Sequence, residues 1–240
     1  MIDATFNDRV AAVRARLAAA CASAGRAPED VRLIAVTKTH PPEAANAAVA
    51  AGITDIGENR VQELTAKYPL VAGAQWHLVG RLQRNKAREV VGRDVLVHSV
   101  DKRSLAEALS RRAQRQEATQ RVLIQVNVGD DPAKGGCSLP EVHDLVAYSH
   151  ELPNLRVEGL MTIPPLPPQG LDQNQASRAH FAALRSARDQ VRAEFPAVTE
   201  LSMGMSADLE AAVHEGATMV RLGTAMFGPR GDGPWRKDQA

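Results

Sequence analysis

The chain has 240 residues, a formal net charge of +1, and 44% hydrophobic but only 3% aromatic residues. That length fits one domain with a core large enough to need neither disulfides nor a structural metal. The near-zero charge excludes a global field for nucleic acid or an anionic membrane, so any anion must be held by a local site.

The opening stretch, MIDATFNDRVAAVRARLAAACASAG, predicts an amphipathic helix over about Phe6–Ser23. Asp3, Asp8, Arg9, Arg14 and Arg16 interrupt it, which argues against a signal-peptide core. No apolar run approaches the ~20 residues a membrane helix needs, so a soluble, cytoplasmic protein is expected. Cys21 and Cys137 fit no CxxC or zinc spacing and read as two reduced thiols, with no metal site. After APED, short β-rich runs alternate with segments of helical period. Strands are expected at Leu33–Thr37, Thr54–Gly57, His77–Val79, Val95–Ser99, Val122–Val126, Val157–Leu160, Glu200–Ser202 and Met219–Leu222. Helices are expected at Pro42–Ala51, Val61–Lys67, Ser104–Ala118, Leu139–Glu151, Asn174–Glu194 and Asp208–Glu215. Eight alternations in this length favour a closed α/β barrel over an open doubly wound sheet. The expected architecture is a single (β/α)8 TIM-barrel domain over 1–240, with an extra N-terminal helix over 1–25. Ile163–Gly170, IPPLPPQG, reads as a loop after the sixth strand, and 229–240 as a surface tail.

Several residues at the carboxyl ends of these strands could carry chemistry. Ile34, Val36 and Lys38 share one strand face, so an inward face would put Lys38 in the barrel mouth. Partial desolvation there favours a neutral amine, nucleophilic toward a carbonyl; an ordinary solvated lysine is the alternative. With six lysines against 23 arginines, a lysine at this spot is a less casual choice. In GENRVQEL, Asn59 is either a ligand group or a helix cap. His77 suits acid–base work, or else a hydrogen-bonded core position. Ser202, Gly204, Ser206 and Asp208 surround the seventh strand's turn, and Arg221, Gly223 and Thr224 the eighth's. Small and hydroxyl residues at these turns expose backbone N–H groups that can cradle a phosphate; for Ser206, simple N-capping is the competing role. An inward Arg221 needs a partner, either a carboxylate or an acceptor on a ligand.

Read together, AVTKTHP, GENRVQE, WHLVGRLQRNK, SVD, IQVN, GLMTIP, LSMGMSADLEAAV and MVRLGTAMFG resemble, in order, the YggS/PROSC family of pyridoxal phosphate (PLP) homeostasis proteins, from about Val31 to Gly228. The resemblance implies an alanine racemase N-terminal domain-like barrel standing alone, with pyridoxal 5′-phosphate as cofactor. It puts Lys38 at the Schiff-base position, Ser202, Ser206, Gly223 and Thr224 on the phosphate turns, Arg221 at the pyridine nitrogen, and Asn59 and His77 near the ring. Arg60 departs from the family pattern by standing where an aromatic residue is expected. The implied role is to sequester, buffer and supply PLP to PLP-requiring apoenzymes as a monomer, without being an enzyme. An arginine at the ring nitrogen weakens the ring as an electron sink, and racemisation needs a second base that Tyr68 and Tyr148 are not placed to provide. A PLP-dependent amino-acid racemase is the alternative, and a cofactor-free lysine aldolase a third.

Overall fold

The computed structural model describes residues 4–132, 134–167 and 169–228; the expected tail over 229–240 lies outside them. Helix α1 (Ala4–Ser23) precedes strand β1 (Arg32–Val36), α2 (Pro42–Ala50), β2 (Asp55–Glu58), α3 (Val61–Lys67) and β3 (Gln75–Leu78). Then come α4 (Ala87–Val90), β4 (Val95–Val100), α5 (Arg103–Arg115), β5 (Gln120–Gln125), α6 (Val142–His150) and β6 (Leu155–Met161). The chain continues with α7 (Gln173–Arg192), β7 (Glu200–Ser202), α8 (Leu209–His214), β8 (Met219–Leu222) and α9 (Thr224–Phe227). All neighbouring strands pair in parallel and in sequence order, and β8 returns to β1 to close an eight-stranded barrel. The expected (β/α)8 architecture is the one found.

Period-two alternation sorts the side chains into two cores. Ile34, Val36, Val79, Leu96, Leu123, Met161 and Met219 plug the barrel interior. A larger shell, including Leu64, Leu78, Ile124, Leu160 and Phe181, packs between strands and helices. The interior therefore holds side chains and is not a pore. Helix α1 packs on α8 and α9, with Phe6 stacked on Phe227 at 5.6 Å and Arg16 paired to Glu210 at 2.6 Å.

Boundaries depart from expectation where polar residues do structural work. Strand β5 starts at Gln120, whose amide reaches Val95 O, and Arg121 pairs with Glu158 on β6. Neither looks like strand from an apolar run. Helix α5 ends at Arg115, not Ala118, because Glu117 takes a φ of 51°. The expected helix from Leu139 opens with a 3-10 turn closed by Ser138 and Glu141.

Candidate functional site

Lys38 follows β1 by two residues, on the inward register of Ile34 and Val36, and both of its flanks are pinned from behind. The Thr37 hydroxyl donates to Glu58 Oε1 at 2.6 Å, and Lys67 Nζ donates to Thr37 O at 2.9 Å and to Glu58 Oε1 at 2.6 Å. Thr39 stands at φ 69°, a left-handed conformation costly for a β-branched residue, and its N–H is held by Glu63 Oε2 at 2.8 Å. Lys67 and Glu58 are wholly buried. Burial pushes the Glu58 carboxyl up to about 7 against the pull of Lys67 and Thr37. Glu58, Glu63 and Lys67 are functional supports that strand and helix patterning passes over. Their one signal is two acids and two bases, Arg60 among them, within GENRVQELTAK.

The turns after β7 and β8 sit beside Lys38 because β8 pairs with both β1 and β7. After β7 the chain turns at Gly204, φ 94°, where a Cβ would lie 2.4 Å from that of Ala212. Asp208, not Ser206, stands at the N-cap of α8, and its side chain braces the turn instead of bonding a helical N–H: its Oδ1 accepts from Met205 N at 2.7 Å and its Oδ2 from the Ser177 hydroxyl at 3.0 Å. The N-capping role considered for Ser206 is therefore corrected, since the chain is not yet helical there. Among the described residues the backbone N–H groups of Ser206 and Ala207 meet no acceptor. Thr224 opens α9, so its N–H has no intrahelical partner either. At Gly223 a Cβ would come 3.0 Å from Val36 O, which keeps this turn close to β1.

These groups line one cavity of about 570 Å³ at the carboxyl end of the barrel, a size typical of small-molecule sites. It brings together Lys38, Asn59, Ser206, Arg221, Gly223 and Thr224, six of the residues singled out from sequence. Asn59 does not cap α3, whose N-cap is the exposed Arg60. Two further cations, Arg81 and Lys134, also line the cavity, and among the described residues no carboxylate does. Sequence reading passed over both because they lie in loops without periodicity. Arg221 is buried and meets no carboxylate within salt-bridge range among the described residues, so the structural ion pair considered for it is not formed. Burial brings its guanidinium down to about 10, still cationic at neutral pH. The N–H groups without acceptors and the gathered cations fit a small phosphorylated ligand.

His77 and Ser202 do not reach this cavity. Both are buried in the barrel interior, where Asp55, His77, His98, Ser202 and Arg221 join in series. The separations are 3.0 Å from Asp55 Oδ1 to His77 Nε2, 2.9 Å from His77 Nδ1 to His98 Nε2, 2.9 Å from His98 Nδ1 to Ser202 Oγ, and 2.7 Å from Ser202 Oγ to Arg221 Nη1. His77, expected near the ring, and Ser202, expected on the phosphate turns, thus both lie beneath the cavity and do not line it. Period two gives the right face but not the depth along it. Burial holds both imidazoles below the usual histidine range, His98 well below, helped by the charges of Arg221, Arg32 and Arg121. Below about 6.5 an unfolded histidine gains a proton that folded His98 refuses. The stability associated with its neutral form is whole above that pH and is lost as pH falls below it. Between about pH 7.5 and 5.5 the protein should therefore lose stability relative to its His98→Gln variant in urea titrations. An unchanged gap would show that His98 accepts a charge in the fold.

Residues 9–231 match the family model "Alanine racemase, N-terminal domain". The chain is 42% identical over 226 residues, 93% of its length and 97% of the relative's, to the pyridoxal phosphate homeostasis protein of Aquifex aeolicus. Among solved structures it is similar to PipY of Synechococcus elongatus with PLP bound, with a TM-score of 0.78 and 37% identity, covering 93% of this chain and 100% of that one. Alanine racemase of Corynebacterium glutamicum shares the fold at a TM-score of 0.71 and 17% identity, with 91% of this chain matching 61% of the enzyme.

Proposed function

Since this chain belongs to the alanine racemase N-terminal domain family, and within it to the pyridoxal phosphate homeostasis proteins, we propose that it binds pyridoxal 5′-phosphate and buffers and supplies it to PLP-requiring apoenzymes. The observation that carries the reading is the single cavity joining the Lys38 amine, the orphan N–H groups of the β7 and β8 turns, and Arg221. When bound, PLP supplies an aldehyde that a lysine amine can hold and a ring that draws electrons from that bond. Lys38 holds the aldehyde carbon, and the strained segment behind it keeps the amine facing the cavity. The Ser206 hydroxyl and the N–H groups of Ser206, Ala207 and Thr224 take the phosphate, with Gly223 allowing its close approach. Arg221 would donate toward the pyridine nitrogen and, being cationic, would favour its unprotonated form. Asn59, just after β2, would lie beside the ring.

A carrier is favoured over a racemase by the composition of the cavity wall. No tyrosine or histidine lines it among the described residues. Tyr68 packs on Trp76, and the Tyr148 hydroxyl donates to Glu107. Lys38 thus has no obvious partner base on the opposite ring face. No described helix is long and apolar enough to cross a membrane, and the free thiols of Cys21 and Cys137 suit a cytoplasmic protein.

The test is uptake of PLP followed by borohydride reduction and peptide mapping. The parent protein should turn yellow and carry the reduced adduct on Lys38, and Lys38→Ala should lose both. Colour and adduct surviving that substitution unchanged would refute the assignment. Deuterium exchange at an amino-acid α-carbon, at rates comparable to those of racemases, would turn the reading toward an enzyme.

A further inference from the structure

Arg221 meets the cavity as a cation that no carboxylate among the described residues pairs at salt-bridge distance, Asp208 acting on it only from farther away, and the groups that aim it lie behind the cavity wall. Its Nη2 donates to Thr162 O at 2.8 Å and its Nη1 to Ser202 Oγ at 2.7 Å. A guanidinium can only donate, so Ser202 accepts there and turns its own proton toward His98 Nδ1. His98 must then present a lone pair at Nδ1 and carry its proton on Nε2, which donates to His77 Nδ1. By the same logic His77 carries its proton on Nε2 and donates to the Asp55 carboxylate. Each link is filled by one proton, and every donor points away from Arg221. Reversing the series requires one added proton, on Asp55 or on an imidazole. Asp55 opens β2 at the far end of the barrel, with 14% of its side chain exposed, whereas His77, His98, Ser202 and Arg221 are buried.

We propose that Ser202, His98, His77 and Asp55 form a one-directional hydrogen-bond relay that fixes the aim of Arg221, making Ser202 and His98 positioning residues for a ring nitrogen they never touch. The proposal rests on the reading of the cavity as a PLP site. Geometry carries it: five polar groups span the barrel interior in series, each link between 2.7 and 3.0 Å, inside a plug that is otherwise apolar. A buried polar series of this kind is costly unless every member is satisfied. Here satisfaction allows a single proton arrangement. That arrangement withholds Nη1 and Nη2 from rotation and leaves the remaining guanidinium edge for a ligand acceptor. The carboxylate of Asp55 ends the series as its final acceptor, reached through two neutral rings.

Histidine-selective ¹⁵N NMR on the cofactor-free protein reads the arrangement directly. At about pH 7.5, above the histidine range, both rings should be neutral, with the proton on Nε2 and an accepting Nδ1. A proton on His98 Nδ1, or a doubly protonated ring, would overturn the relay whether or not any variant folds. Two substitutions then separate positioning from packing. His98→Gln keeps an acceptor and a donor, whereas His98→Leu removes both links at similar volume. Leaving buried partners unpaired predicts that the PLP dissociation constant rises about tenfold or more in His98→Leu and returns to within about threefold of the parent in His98→Gln. The Lys38 adduct should still form in both. Equal weakening in the two variants, or none in either, would also overturn the proposal. A parent protein that takes up no PLP defeats the cofactor reading instead, while the ring tautomers still decide whether the relay exists.

Discussion

Lys67→Met should lower the unfolding free energy by about 3–5 kcal/mol near pH 8, the cost of stranding a buried charge. Lys67 Nζ lies 2.6 Å from Glu58 Oε1 and 2.9 Å from Thr37 O, and all of its side chain is shielded from water. Without it, the Glu58 carboxylate would keep one hydrogen bond, from Thr37, and lose its counter-charge. The carboxyl can escape by binding a proton, so the loss should shrink toward about pH 5, where escape costs little. In the parent protein the Glu58 carboxyl is already raised from 4.5 to about 7. This group alone therefore stabilises the fold below about 4.5, and that contribution fades as pH rises through about 7. Glu58→Gln combined with Lys67→Met should recover part of the loss, because Glu58 then carries no charge while Glu63, 3.7 Å from Lys67 Nζ, still loses its cation. A single variant as stable as the parent in urea titrations, or a double variant worse than the sum of its parts, would contradict this account. The damage should also reach the cavity, since the same cluster holds Thr37 and Thr39 on either side of Lys38.

Gly80→Ala is expected to cost about 2–3 kcal/mol through overpacking, and to weaken PLP uptake at least about tenfold, a loss of some 1.4 kcal/mol of binding. A Cβ at Gly80 would lie 2.0 Å from Asn59 O and 2.7 Å from its carbonyl carbon, so two backbone segments must separate. Both segments line the cavity. Gly57→Ala offers the contrast. Its Cβ would meet the Ile34 and Val36 methyl groups at 2.9 and 3.3 Å, and side-chain tips can yield. The binding loss at position 80 should therefore exceed that at position 57, with PLP titration and thermal melting as the measurements. Equal effects would mean that the approach of the two strands does not shape the site.

The barrel was legible because its strands and helices differ in apolar period, and the mouth was legible because lysine, glycine and hydroxyl residues stand where strands end. Lys38, Ser206, Arg221, Gly223 and Thr224 could be read this way without coordinates. Alternation cannot say how far up the barrel an inward residue lies. Hence alternation puts His77 and Ser202 on the correct face without telling that they sit beneath the cavity. Nor does local pattern reveal a partnership across the fold. Glu58 and Lys67 are nine residues apart in sequence, yet their meaning comes from Thr37 on another strand. Arg81 and Lys134 occupy irregular segments, where nothing in the sequence reports which way a side chain turns.

The apolar plug formed by Ile34, Val36, Leu96, Leu123, Met161 and Met219 has a consequence for traffic. It leaves no passage through the molecule, so a guest held above it must depart by the door it entered. Loading and unloading then compete for one threshold. Occupancy by one guest therefore bars the next until it leaves.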